Sequence, residues 1–218
     1  MNKKYLTITF CCLLFSILTG FLTNDLLLGG TNLLTALLCA YFASEGKRSN
    51  YILGLINYLI SGYISYQNQL YGLFFFYIFI FSPLQIQGFF SWKKNLNEQE
   101  SVKVREFTFK NSIIITLSCV IGSFILGYIL SLIPSQRLAF MDATSNCINL
   151  CGVILMILRF KESWWLWLMN NIIDLGIWIL TVINGGTGSI MMLLVSIGYL
   201  LINVYGIIKW NMEAKKNR

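Results

Sequence analysis

The chain contains no histidine, only two prolines and few charged residues. Charged residues make up 11% of its 218 residues, whereas hydrophobic residues make up 56%. Apolar runs recur from residue 5 to residue 210, and the polar stretches between them are too short to form a soluble domain. Runs of about 20 apolar residues are typical of helices that cross a bilayer. The sequence therefore predicts an all-α polytopic membrane protein.

The missing residue types also limit the chemistry that the chain can perform. It has no Gly-x-x-x-x-Gly-Lys loop, so it cannot hydrolyse ATP by that route. Without histidine, no acid paired with a base and no nucleophile paired with a base is apparent. The six cysteines fall within apolar segments and include no Cys-x-x-Cys pair, which favours buried packing residues over a metal site. We therefore expect no enzyme activity, no metal and no cofactor.

The positive charge of the chain fits a membrane protein. The net charge is +7, but the basic residues lie in short groups at the ends of apolar segments and form no basic face. Such groups act as topology signals and contact lipid headgroups. We therefore expect membrane lipid as a partner and no nucleic acid.

Eight stretches of the chain are apolar enough to be membrane spans. They cover roughly residues 5–23, 26–44, 50–66, 69–91, 111–133, 139–159, 164–182 and 188–210. A cleaved signal peptide is the alternative for the first stretch, but no small-x-small cleavage site follows it cleanly. With Lys3 and Lys4 in the cytoplasm and eight crossings, every lysine and arginine except Arg137 falls on the cytoplasmic side. The positive-inside rule therefore predicts that both termini are cytoplasmic.

Two parts of the chain share a pattern of residues. A shift of 114 residues aligns the start of the pattern, and a shift of 118 residues aligns its end. The aligned pairs are Lys47 with Lys161, Tyr51 with Trp165, Asn57 with Asn171, Gly62 with Gly176, Gln85 with Asn203, Gly88 with Gly206, and Trp92 with Trp210. Each match is weak by itself, but their common order indicates an internal repeat.

Each repeat holds three spans, an odd number, so both repeats run in the same direction. This predicts two parallel three-helix repeats joined by a linking transmembrane helix, the 3+1+3 plan of SWEET-like carriers, plus an extra N-terminal hydrophobic helix. The substrate site is then expected near the midplane, where the repeats meet. The predicted segments are an N-terminal transmembrane segment 1–25, a first repeat 26–92, a cytoplasmic loop and linking helix 93–133, a second repeat 134–211 and a cytoplasmic tail 212–218.

One face of the seventh span combines aromatic and polar residues. Its members follow one another at steps of three or four residues and are Trp164, Trp167, Asn171, Asp174 and Trp178. Residues at this spacing share one side of a helix. An unpaired amide costs roughly 2 to 7 kcal/mol in hydrocarbon, so this side cannot face lipid. It is predicted to face a cavity or the interior of the bundle, as a functional site does.

The residue types on this face suggest what it binds. Indole rings form flat walls that suit a planar ring, most of all a cationic one. Asn171 offers both a hydrogen-bond donor and an acceptor, and Asp174 offers a counter-charge unless it only pairs with Asn170 or a neighbouring helix. The alternative is that the tryptophans are lipid anchors, which suits Trp164 better than Trp167.

Other polar residues at membrane depth are further candidates. Gln85 and Asn203 occupy matching places in the last helix of each repeat. They either contact one ligand from opposite sides or hydrogen-bond across the bundle, where such a bond contributes about 0.6 kcal/mol on average. Asp142 opens the sixth span and is consistent with a helix cap.

The motif Trp-x-x-Trp-x-x-x-Asn, with a further tryptophan seven residues on, resembles the signature of the PnuC (Pnu-type) vitamin transporters. It is formed by Trp164, Trp167, Asn171 and Trp178. The Gly-x-x-x-Trp endings of the two repeats and the position of Asp142 are also similar to that family, and the resemblance extends from about residue 26 onward.

The first repeat departs from this motif. Its equivalent positions are Tyr51, Gly54 and Asn57, which makes Asn57 another candidate site residue.

The resemblance implies facilitated diffusion of an unphosphorylated vitamin precursor, typically nicotinamide riboside, across the inner or plasma membrane of a bacterium. It also implies a homotrimer with one site per protomer, and a cytoplasmic kinase that traps the transported molecule. Members of the family also carry thiamine, riboflavin or deoxynucleosides, so the substrate stays open. The alternatives from other classes are the substrate-binding subunit of an ECF-type vitamin importer and a SWEET-like sugar carrier.

Overall fold

The computed structural model describes residues 3–96, 101–107 and 109–216. Within these residues the chain forms eight helices and no β-strand beyond isolated bridges. The helices are α1 (Lys3–Leu22), α2 (Leu26–Ser44), α3 (Asn50–Gln67), α4 (Tyr71–Lys93), α5 (Phe109–Ser131), α6 (Ala139–Ile157), α7 (Ser163–Ile183) and α8 (Ser189–Lys216). Each helix coincides with one predicted span, and the all-α prediction is confirmed.

Two details differ from the spans expected from the sequence. In the described part of the chain, seven helices are long and apolar enough to cross a membrane, and α3 is the exception. The helix α3 carries Asn57 and several serines and tyrosines, so its crossing stays a prediction. The helix α8 continues to Lys216, because the residues after Trp210 include no helix breaker. Part of the predicted tail is therefore helical, and residues 217 and 218 lie outside the described residues.

The helices differ in how deeply they are buried. Of the apolar stretches, 56% of α2 and 61% of α6 are buried, against 11% of α1 and 22% of α5. The helix α2 packs against α3 and α8, and α6 packs against α5, α7 and α4. The contacts α2–α8 and α4–α6 each join one predicted repeat to the other. The two buried helices therefore lie at the centre, and α1 and α5 lie at the periphery.

A proline shapes the middle of α4. Pro83 has no backbone N–H and its ring crowds the preceding turn of a helix, and residues Phe76–Phe81 just before it form a wide π-helical turn. The hydroxyl of Ser82 donates a hydrogen bond to the carbonyl oxygen of Tyr77 at 2.7 Å, within this wide turn. Tyr77, within the irregular turn, and Gln85, after it, are both buried and line the same cavity.

The described part of the loop between α4 and α5 packs across the ends of α2 and α6. Gly46 has a φ of +67°, a conformation that glycine adopts without a steric penalty, and its carbonyl accepts a hydrogen bond from the N–H of Val102 at 3.0 Å. The N–H of Arg105 donates to the carbonyl of Arg159 at 2.8 Å. These bonds place the ends of both buried helices on one side of the bundle. Residues 97–100 and 108 of the predicted cytoplasmic loop lie outside the described residues.

An ion-pair cluster on the same side joins α1, α2 and α8. The carboxylate of Glu45, directly after α2, accepts hydrogen bonds from Lys4 at 3.0 Å and from the hydroxyl of Tyr205 at 2.8 Å, and it forms an ion pair with Lys209. Burial alone would raise the pKa of Glu45, but the hydrogen bonds from Lys209, Tyr205 and Lys4 outweigh it and lower the pKa to about 2. The cluster holds α1 against the bundle at this end.

This lowered pKa predicts a pH dependence of stability. The ordinary value of 4.5 applies to the unfolded chain, so Glu45 stabilises the fold fully above about pH 4.5 and loses this contribution as the pH falls towards 2. We expect the melting temperature of purified wild-type protein to fall over this range relative to that of Glu45→Gln. Thermal unfolding in detergent from pH 6 to pH 2 measures the difference. A difference between the two proteins that does not change with pH would contradict the assignment.

Candidate binding cavity

A cavity lies between the two predicted repeats, at the level of the polar residues. In the described part of the chain it is lined by residues of α2, α3, α4, α6, α7 and α8, and by none of α1 or α5. The space open to the centre of a water molecule is about 90 Å³, whereas a single water needs only about 10 to 15 Å³ by this measure. The cavity can therefore hold several waters or part of a small polar molecule.

The polar face of α7 lies against this cavity, as its spacing predicts. Trp167, Asn171, Asp174 and Trp178 all line it. The opposite side of the same helix is exposed, with Ile172 61% accessible. The polar side of α7 therefore faces the cavity and its apolar side faces outward, as the spacing predicts.

Trp164 is the exception among the predicted residues of this face. It is fully buried but does not line the cavity. Its ring lies on Gly206 of α8, where any side chain would overlap the indole, and it contacts the rings of Trp167 and Trp210 at centroid distances of 5.3 and 5.9 Å. Trp164 is therefore a packing residue next to the cavity in this structure. It belongs to the first turn of α7, which lies beyond the end of the cavity.

The three amides predicted outside α7 also line the cavity. They are Asn57 of α3, Gln85 of α4 and Asn203 of α8. Asn57 donates to the side-chain oxygen of Asn32 at 2.7 Å and accepts from the hydroxyl of Tyr199 at 3.0 Å, so it is already held in place. Gln85 lies so close to Gly54 that a Cβ there would come within 2.6 Å of its Oε1 atom. The structure thus brings together seven of the eight predicted site residues.

Two buried amide atoms at the cavity lack a partner among the described residues. They are Nδ2 of Asn203, a donor, and Oδ1 of Asn170, an acceptor. Asn203 and Asn170 are 3% and 4% exposed, and both line the cavity. Because an unpaired polar group in an apolar interior costs free energy, these two atoms are suited to a ligand that accepts from one and donates to the other.

Two clusters of three polar residues bridge neighbouring helices at the cavity, and we name them the first and second polar triads. In the first triad, the side-chain oxygen of Asn32 accepts from Asn57 at 2.7 Å and from Ser61 at 3.0 Å. The second triad consists of Ser145, Asn170 and Asp174, and each of its members lies 113 residues after its counterpart.

In the second triad, the carboxylate of Asp174 is the acceptor. It accepts hydrogen bonds from Ser145 at 2.5 Å and from Asn170 at 2.8 Å. These contacts match Asn57 with Asn170, one residue away from the predicted match with Asn171. The parallel repeat itself stays a prediction.

Several tyrosines line the cavity that sequence reasoning missed. Tyr58 and Tyr77 stack with ring centroids 5.4 Å apart and an angle of 22° between the rings. Tyr199 completes this wall from α8, and Asn149 of α6 lies beside them. Tyrosines in apolar spans are also typical of anchors at the membrane interface, so their residue type did not indicate that they line a cavity. Tyr199 and Asn203 are four residues apart and therefore share one helix face. This spacing could have indicated that Tyr199 lines the cavity.

Four aromatic rings, which we name the ring layer, close one end of the cavity. This is the end nearest the loop between α4 and α5. The members of the ring layer are Tyr51, Trp92, Trp164 and Trp210, each at most 3% exposed. The indole N–H of Trp92 donates to the carbonyl of Met156 at 3.0 Å, and that of Trp210 donates to the carbonyl of Ser44 at 3.1 Å. Each bond links the last helix of one predicted repeat to a central helix of the other. The ring layer therefore connects the two halves below the cavity.

Asp142 is buried but lies away from the cavity. Its carboxylate accepts hydrogen bonds from the N–H of Gly72 at 3.1 Å, from Gln136 at 2.8 Å and from Asn146 at 2.7 Å. Gly72 belongs to the first turn of α4, where N–H groups have no partner within the helix. Asp142 therefore caps α4 rather than its own helix, a role that the sequence does not reveal.

Comparison with known proteins assigns the chain and its fold to a family. The family described as nicotinamide mononucleotide transporter matches residues 26–212. The chain belongs to this family. It is therefore a multi-pass membrane transporter and not an enzyme, and the resemblance found in the sequence is confirmed.

Two related proteins and one solved structure support the same family. The chain is 31% identical over 192 residues to the nicotinamide riboside transporter PnuC of Neisseria mucosa, covering 84% of this chain and 71% of that protein. It is 27% identical over 186 residues to the protein of the same description from Haemophilus influenzae, covering 84% and 78%. A solved structure described as the crystal structure of the vitamin B3 transporter PnuC matches with a TM-score of 0.86 and 28% identity, over 100% of this chain and 94% of that chain. The match with this solved structure extends over the peripheral helices α1 and α5, whereas the family match begins after α1.

Proposed function

We propose that this transporter carries nicotinamide riboside by facilitated diffusion, in a site formed by the cavity between the two halves. The observation that carries the proposal is the combination of aromatic walls with unpaired amide atoms, namely Nδ2 of Asn203 and Oδ1 of Asn170. Nicotinamide riboside has a flat cationic ring, a carboxamide and ribose hydroxyls. Its ring suits the indole walls, and its polar groups can pair with the amides.

The charge of the cavity supports the riboside over the mononucleotide that gives the family its name. Among the described residues, no lysine or arginine lines the cavity, and Asp174 adds a carboxylate. A phosphate group carries a charge of about −1.5 to −2 at pH 7. Such a group would be buried without a cation beside a carboxylate, which is unfavourable. We therefore propose that phosphorylation makes the product a poor substrate and traps it inside the cell, through a cytoplasmic kinase.

Thiamine, riboflavin and deoxynucleosides are the other substrates to consider. Each combines a flat ring with polar groups, as nicotinamide riboside does, so the aromatic and amide lining alone does not separate them. A calorimetric screen of the purified protein against these four compounds tests the choice. The names of the relatives from Neisseria mucosa and Haemophilus influenzae favour nicotinamide riboside.

Transport by the chain alone distinguishes a carrier from the substrate-binding subunit of an ECF-type importer. In liposomes containing only this protein and no ATP, we expect labelled nicotinamide riboside to move down its gradient in both directions. The expected flux saturates with concentration and is unchanged in Trp165→Ala, whose side chain lies on the exposed side of α7. Tight binding without flux would contradict the proposal and favour the subunit.

The assembly and orientation belong to the same proposal. We propose a homotrimer with one cavity per protomer, in a bacterial inner or plasma membrane, with both termini in the cytoplasm. The clustering of Lys4, Lys209 and the loop before α5 at one end of the bundle supports the orientation. Native mass spectrometry in detergent tests the trimer, and labelling of single cysteines introduced at the two ends tests the orientation.

A further inference from the structure

We propose that Asp174 makes the transporter selective for a positively charged ring, so that it prefers a cationic vitamin precursor to a neutral molecule of the same shape. This inference rests on the proposed function and adds the charge class of the substrate. It treats the carboxylate as a specificity determinant rather than as part of the packing between α6 and α7.

The first argument is the environment of the carboxylate. Asp174 is 9% exposed and lines the cavity. Its two oxygens accept hydrogen bonds from Ser145 and Asn170, which are both neutral. Among the described residues no lysine or arginine lines the cavity with it. A carboxylate at membrane depth is costly and normally has a cationic partner or faces water, so the missing counter-charge is expected from the ligand.

The second argument is the counterpart of Asp174 in the first polar triad. That triad bridges α2 and α3 through Asn32, Asn57 and Ser61 without any charge. Ser61 is the counterpart of Asp174, since it lies 113 residues earlier in the chain. Neutral groups are therefore sufficient to bridge two helices at this place in the fold. The carboxylate adds a desolvation cost that the bridging does not require.

The third argument is the position of the carboxylate among the rings. Asp174 lies four residues before Trp178 and seven after Trp167 on α7, so all three face the cavity together. A ring held by these indoles lies close to the carboxylate. Both interactions favour a cation over a neutral ring. The expected ligands are then pyridinium or thiazolium compounds, in preference to riboflavin or deoxynucleosides, whose rings are neutral.

The test compares two ligands of nearly the same shape. Nicotinamide riboside has a cationic ring, whereas its 1,4-dihydro form has a neutral ring. In calorimetric titrations of the purified wild-type protein we expect the cationic form to bind at least about tenfold more tightly. In Asp174→Asn, and in Asp174→Ser, which introduces the residue type of position 61, we expect this ratio to fall severalfold through weaker binding of the cation, with the remaining preference supplied by the indole rings.

The control removes a carboxylate elsewhere. Glu45→Gln lies outside the cavity and is expected to keep the wild-type ratio. Equal affinity of the wild-type protein for the two forms, or an unchanged ratio in the Asp174 variants, overturns the inference. Failure of the wild-type protein to bind either form would instead overturn the proposed function. Should both Asp174 variants fail to fold, the ratio in Trp167→Ala decides, because this variant removes an indole wall and keeps the carboxylate: a preference for the cation that persists there supports the inference, and a ratio near one overturns it.

Discussion

Replacing Trp167 or Asn171 with alanine should weaken the binding of nicotinamide riboside by about 1 to 3 kcal/mol in each case, a rise in Kd of roughly 5- to 150-fold. Trp167 forms one aromatic wall of the cavity, and its loss removes a flat surface for the ring. Asn171 is buried and lines the cavity, where its amide offers both a hydrogen-bond donor and an acceptor. Its loss leaves a polar group of the bound ligand unpaired. Calorimetric titration of each purified variant measures the change.

Trp165→Ala is the matched control for these variants. Trp165 is adjacent in sequence to the motif, but it is 54% exposed on the opposite side of α7. We expect its replacement to leave Kd within about twofold of the wild-type value, because surface substitutions away from buried contacts have small effects. If Trp167→Ala and Asn171→Ala bind like Trp165→Ala, and all three melt like the wild-type protein, the polar face of α7 is structural and the cavity is not the binding site.

Trp92→Ala should lower the free energy of unfolding by about 3 kcal/mol, which corresponds to a fall in melting temperature of about 6 to 12 °C. Trp92 is fully buried in the ring layer, contacts Tyr51 and Trp210, and bonds to the carbonyl of Met156. Its removal leaves a large cavity where the two halves meet. The lower end of the usual range applies because helix association in a membrane gains little from the hydrophobic effect. Thermal unfolding in detergent measures the change.

A more conservative variant keeps part of the ring layer. Trp92→Phe retains a six-membered ring but loses the indole N–H and the five-membered part of the ring, so we expect it to lose about 0.5 to 1.5 kcal/mol from the hydrogen bond and to remain more stable than Trp92→Ala. Trp165→Ala again serves as the control, with an expected change in melting temperature near zero. A melting temperature of Trp92→Ala within about 2 °C of the wild-type value would mean that the ring layer does not hold the two halves together.

The predicted face of α7 illustrates where sequence reasoning succeeds. Asn171 and Asp174 cannot face hydrocarbon without a large cost, so their position on the helix fixes which side points inward. The helical period then carries Trp167 and Trp178 to the same side. These steps depend only on residue spacing and on the properties of lipid. They therefore needed no knowledge of the neighbouring helices.

Trp164 and the tyrosines illustrate where sequence reasoning does not succeed. Trp164 has the same helical spacing as Trp167, but it lies one turn lower, beneath the wall of the cavity. Tyr58 and Tyr199 have hydroxyl groups that are acceptable in a cavity or at a membrane interface, so their residue type is ambiguous. Spacing assigns a residue to a side of its own helix. It does not assign a height relative to other helices.

The role of Asp142 was also ambiguous for a physical reason. A carboxylate in the first turn of a helix is favourable for that helix, which makes a local cap the simplest expectation. In the structure the carboxylate instead accepts the N–H of Gly72, seventy residues earlier in the chain. A contact at such a sequence separation depends on how α4 and α6 pack, and no local pattern encodes it.

The sequence by itself determined the class of the protein, the number of its helices and the inward side of α7, because the cost of polar groups in lipid acts on each helix separately. The tertiary structure decided which residues share the cavity, how the second polar triad holds Asp174, and that the ring layer closes the cavity below. These features depend on the height and rotation of one helix relative to the next. Packing between helices sets both quantities, and they become defined only when all the helices are assembled.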